Sequence, residues 1–77
     1  MPARRNPDDA RQLGEALRQL RETAGMTQVE AGEAAGVRSQ FVSEIERASR
    51  GVSWTTLRSL LRAYGAQLSD LAKLIDG

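Results

Sequence analysis

The run from Gln28 to Arg47, QVEAGEAAGVRSQFVSEIER, leaves few ways to fold. Gly32 lies inside an alanine-rich stretch, Gly36 closes that stretch, and Val37, Val42 and Ile45 follow as apolar positions. Two short helices that cross at roughly 90 to 120° through a tight turn need these parts. A small residue goes where the helices touch, a glycine goes at the turn, and apolar anchors pin the second helix. Thr27 followed by Glu30 is a capping-box pattern, in which a hydroxyl and a carboxylate each satisfy an orphan backbone donor. It sets the start of the first of the two helices at Gln28, and the second is predicted from about Ser39 to Arg47.

Elsewhere the apolar residues also recur at helical spacing. Leu13, Leu17, Leu20 and Ala24 predict a leading helix that begins near Asp8 and Asp9 and ends at Gly25. Residues 48–53 read as a loop whose last member, Ser53, caps a fourth helix carrying Leu57, Leu60, Leu61 and Tyr64 and closed by Gly65. A final stretch with Leu68, Leu71, Ala72, Leu74 and Ile75 reads as a fifth helix. No segment alternates at period two, so the expected fold is all-α with five helices. Residues 1–7, with two prolines and two arginines, read as a flexible N-terminal arm, leaving 8–77 as one domain. A solvated tail is preferred for that arm, with a reach of Arg4 and Arg5 into a minor groove as the other reading.

Composition removes most chemistry. The 77 residues contain no cysteine and no histidine, which excludes disulfides, thiol nucleophiles and the commonest metal ligands. No cofactor is expected, no catalytic residue is assigned, and Glu44 and Glu46 point to different faces of one helix, so an enzyme is not expected. There is no apolar run of the roughly 20 residues that span a bilayer, so no membrane partner is expected and a cytoplasmic location is. The net charge is only +1, yet of the 11 cations all but Lys73 are arginine, the side chain suited to forked contacts with phosphate and guanine. An arginine-rich codon bias produces the same count without any function.

Five stretches carry a family likeness: Leu-Arg-Gln-Leu-Arg (17–21), Gly-Met-Thr-Gln (25–28), Ala-Gly-Val (35–37), Val-Ser-Glu-Ile-Glu-Arg (42–47) and Val-Ser-Trp-Thr-Thr-Leu (52–57). In these the chain resembles the Xre/Cro family of helix-turn-helix regulators, short stand-alone type, similar to restriction-modification controllers and HipB-like antitoxins. The resemblance implies a lambda-repressor-like DNA-binding domain in which the second helix of the motif enters the major groove. It implies base contacts from Arg38, Ser39, Gln40, Ser43 and Glu44. Arg38 suits a guanine, Gln40 an adenine and Glu44 a cytosine amine. Phosphate contacts are implied from Thr27, Gln28, Arg47 and Arg50, and a structural ion pair from Arg21 and Glu46. The C-terminal helix, with little chain left to cover it, is expected to form a homodimer seam through Leu68, Leu71, Leu74 and Ile75, with ordinary core as the other reading of the last three.

The implied function is a sequence-specific transcriptional regulator, an autoregulating repressor or controller on a palindromic double-stranded DNA operator. The alternative is a HipB-like antitoxin that binds a toxin and represses its operon. RNA polymerase is a further partner open to either. Four positions depart from the family pattern: Ala31 replaces the usual leucine, Gly32 the usual alanine, Arg38 the usual serine or threonine cap, and Ala48 the usual glycine. Trp54 is expected to fill the core rather than stack on a base.

Overall fold

The computed structural model describes residues 7–76. Five α-helices follow one another: α1 (Pro7–Thr23), α2 (Gln28–Ala35), α3 (Ser39–Glu46), α4 (Trp54–Ala63) and α5 (Leu68–Asp76). Among the described residues there is no strand. The helix order and type agree with the periodicity, and the boundaries agree to within a residue or two. The arm expected over 1–7 lies outside the described residues except for Pro7, which is the first residue of α1. Proline fits there because the amide hydrogen it lacks has no partner in a first turn.

One small core holds the helices together. Ala16 and Leu17 of α1, Ala31 of α2, Val42 and Ile45 of α3, Leu60, Leu61 and Tyr64 at the end of α4, and Leu71 of α5 are all buried. Leu13, Leu20, Val37, Phe41, Leu57 and Ile75 pack partly buried around them. Ala31 is fully covered. A leucine's extra methylenes are therefore absent from a site that has already closed over the smaller side chain.

Two expectations need correction. Leu71 is 3% exposed and belongs to the core, so it is not available to a dimer seam. The physical reason is its place on α5: Leu71, with Ile75 one turn on, faces inward, and Leu68 and Leu74 flank that stripe at 44% and 43% exposure. Trp54 is also misplaced by the sequence reading, since it stands 58% exposed. It is the first residue of α4, at the rim of the stripe that begins with Leu57, and the Arg58 guanidinium lies 5.6 Å from its ring centroid.

Tyr64 is buried, and among the described residues its hydroxyl has no hydrogen-bond partner. Burial first, then the negative charge of Glu46, pushes its pKa up from 10.0 to about 12, with Arg21 pulling the other way. The neutral phenol is thus favoured by folding. That contribution is complete below pH 10, where both states are protonated, and is lost as pH rises toward 12 because only the unfolded chain has ionised. Tyr64→Phe should be neutral or stabilising by up to about 1 kcal/mol at neutral pH. Urea midpoints compared in alkaline buffer should show its advantage growing as the wild type weakens.

Candidate nucleic-acid interface

The two central helices are set by their ends. Thr27 accepts from the Glu30 amide at 3.0 Å, and Glu30 Oε1 accepts from the Thr27 amide at 2.9 Å, which completes the capping box that starts α2. Gly36 ends α2 at φ 76°, in the left-handed region. Gly32 lets the turn fold onto α2: a Cβ there would lie 2.6 Å from the Val37 carbonyl oxygen. Arg38 occupies the cap position of α3 in extended conformation, and its side chain makes no capping bond.

A part-buried polar node then fixes α3 to the body. Arg21 Nε and Nη2 donate to Glu46 Oε2 and Oε1 at 2.7 and 3.1 Å, and Arg21 Nη1 donates to the Met26 carbonyl at 2.8 Å. Gln28 Nε2 donates to the same Glu46 Oε1 at 3.1 Å. The side chains of Arg21 and Glu46 are 12% and 5% exposed, so this pair is shielded from water. Its hydrogen bond to Glu46 holds the guanidinium pKa above the ordinary arginine value, against the opposing effect of burial. The ends of α1 and α3 and the start of α2 meet here. The Gln28 amide, assigned to a phosphate by resemblance, is turned inward in this structure.

With its inner side anchored, α3 presents a polar outer side. Arg38 and Gln40 are exposed, and Ser39, Ser43 and Glu44 are half-buried. Arg47 and Arg50, past the end of α3, are exposed, and Arg47 Nε donates weakly to the Ser43 carbonyl at 3.4 Å. Arg50 does not extend freely into solvent. Its Nε lies 3.3 Å from Glu44 Oε1, and its guanidinium carbon lies 4.6 Å from the Phe41 ring centroid. Arg38, Gln40, Glu44 and Arg50 thus come together, with Val37 and Phe41, around one open hollow of about 430 Å³.

Sequence reasoning passed over Gly14. It is buried in the middle of α1, and a Cβ there would meet the carbonyl oxygens of Ile45 and Glu46 at 2.5 and 2.7 Å. A lone glycine inside an otherwise regular helical pattern was the available signal, since it costs about 1 kcal/mol of helix propensity unless packing needs it.

The family model described as helix-turn-helix domain matches residues 12–74, nearly the whole described chain. The chain belongs to the helix-turn-helix domain family. It is a short helix-turn-helix regulator of the Xre type, DNA-binding and with a lambda-repressor-like fold. Among solved structures, it is similar to the clp gene regulator ClgR from Corynebacterium glutamicum. The two are 37% identical with a TM-score of 0.82, and 88% of each chain is covered. It is also similar to the restriction-modification controller protein C.AhdI from Aeromonas hydrophila, at 28% identity and a TM-score of 0.79, covering 83% of this chain and 97% of that one. No curated protein matches the sequence significantly. In helix-turn-helix terms α2 and α3 are the motif, and α3 is its recognition helix. None of the helices described is long and apolar enough to cross a membrane.

Proposed function

We propose that this regulator acts as a homodimer on a palindromic operator, with α3 of each copy in a major groove, as an autoregulating repressor or controller. The carrying observation is the two-sided character of α3. Its inner face is fixed by Val42, Ile45 and the buried Glu46, and its outer face offers hydrogen-bonding side chains to an incoming base edge. Arg38, Ser39, Gln40 and Ser43 are the readers on this view. Thr27, at the exposed amino end of α2, and Arg47 hold phosphate. Leu68 and Leu74, exposed on α5, provide the apolar part of the dimer seam, and half-sites then lie about one helical turn, roughly 34 Å, apart.

The likeness to a restriction-modification controller and to a clp gene regulator supports control of a neighbouring gene.

Gel retardation with the DNA upstream of its own gene tests the proposal. Retardation at low salt is expected. Gln40→Ala should lower affinity by about 1 to 3 kcal/mol at one base position and leave non-specific duplexes alone. Arg47→Ala should weaken all duplexes alike and flatten the salt dependence by about one unit. A wild-type protein that retards no duplex at low salt is instead a protein-interaction module.

A further inference from the structure

We propose that Arg50, four residues beyond the end of α3, reads a base, and that Glu44 is its positioning residue rather than a reader of cytosine. This rests on α3 lying in the major groove. The chain after α3 turns back on the helix. Ala48 takes a left-handed φ of 61°, the Ser49 amide and hydroxyl donate to the Glu44 carbonyl at 2.9 and 3.1 Å, and the next residue is thereby carried over Phe41. Glu44 then engages Nε of the guanidinium and the Phe41 ring lies beneath it.

Three physical points favour a reader. First, Nε is the guanidinium nitrogen that faces Glu44 Oε1, at ion-pair distance, and the two terminal nitrogens make no hydrogen bond among the described residues. They form the fork that fits guanine O6 and N7. Second, a phosphate clamp works by its charge, and Arg50 beside Glu44 is half of a neutral pair that releases few counterions. Third, a long side chain held on two sides loses little further freedom on docking, which serves geometric selection. A bare Glu44 carboxylate facing DNA would be repelled, and the arginine removes that penalty.

The test uses the full chain and a randomised duplex pool, with bound sequences counted for wild type, Arg50→Lys and Glu44→Gln. A non-specific duplex titrated against salt is run alongside. Arg50→Lys keeps the charge and removes the fork, so preference for one guanine per half-site should fall by about tenfold or more, with the salt slope unchanged. Glu44→Gln frees the cation. Preference at that same position should fall, non-specific affinity should rise, and the salt slope should steepen by up to about one unit. Both side chains lie on the surface, and melting curves confirm that the variants fold.

The proposal is overturned if Arg50→Lys keeps the wild-type preference, which makes Arg50 a phosphate contact. It is also overturned if Glu44→Gln leaves that preference intact. Failure of the wild type itself to enrich any sequence refutes the DNA-reading function, which is a different result.

Discussion

Glu46→Ala is expected to destabilise the protein by about 3 to 5 kcal/mol, because it leaves the shielded guanidinium of Arg21 without its counter-charge. For a chain of this length total stability is about 4 to 12 kcal/mol, so the variant loses about a quarter of it or more. Its midpoint of thermal unfolding should fall by about 12 °C or more. The loss has two parts. Arg21 keeps its bond to the Met26 carbonyl but forfeits two to the carboxylate, and Gln28 forfeits its own. Glu46→Gln separates them, since an amide oxygen at the Oε1 position still accepts from Arg21 Nη2 and Gln28 while its NH₂ group meets one donor, Arg21 Nε. A loss below about 1 kcal/mol for Glu46→Ala would show that the pair behaves like an exposed one and that α3 is held by apolar contacts alone.

The second large effect is Gly14→Ala. In an uncrowded helix this change stabilises, because alanine has the better propensity by about 1 kcal/mol. At position 14 the sign should reverse. The new methyl meets the Ile45 and Glu46 carbonyl oxygens at 2.5 and 2.7 Å and the Glu46 carbonyl carbon at 3.0 Å, all of them backbone, so no side chain can swing aside. Helices α1 and α3 must separate, at an overpacking cost of about 1 to 3 kcal/mol. Chemical denaturation of the two proteins side by side measures it. A more stable Gly14→Ala protein would mean that the two backbones do not touch in solution. The effects of Gly14→Ala and Glu46→Ala should not add, because both loosen the same contact.

What could be read in advance follows from how local each signal is. The helix order was legible because Thr27, Glu30, Ser53, Gly25, Gly36 and Gly65 mark ends through bonds and dihedrals that involve only near neighbours. The apolar spacing named the faces but not what covers them, which is why Leu71 was set on the outside and Trp54 on the inside. Arg38, at the cap of α3, and Gln40 are exposed, as the family likeness implied. The sites of Gln28 and Arg50 were not legible. Gln28 is drawn inward by a carboxylate 18 residues away, and Arg50 is carried back over α3 by the dihedral of Ala48. The departure from glycine at Ala48 was visible, and its effect on aim was not.

Helices α1, α3 and α4 end in the same pair of backbone bonds, in which the residue after the left-handed position reaches five residues back. At α1 and α4 that position is glycine; at α3 it is Ala48. A left-handed alanine carries about 1 to 2 kcal/mol of steric cost that glycine avoids. The carboxyl end of α3 therefore stores a cost that the ends of α1 and α4 avoid, and it is held in place by the paired Glu46 and the covered Ile45 just before the turn.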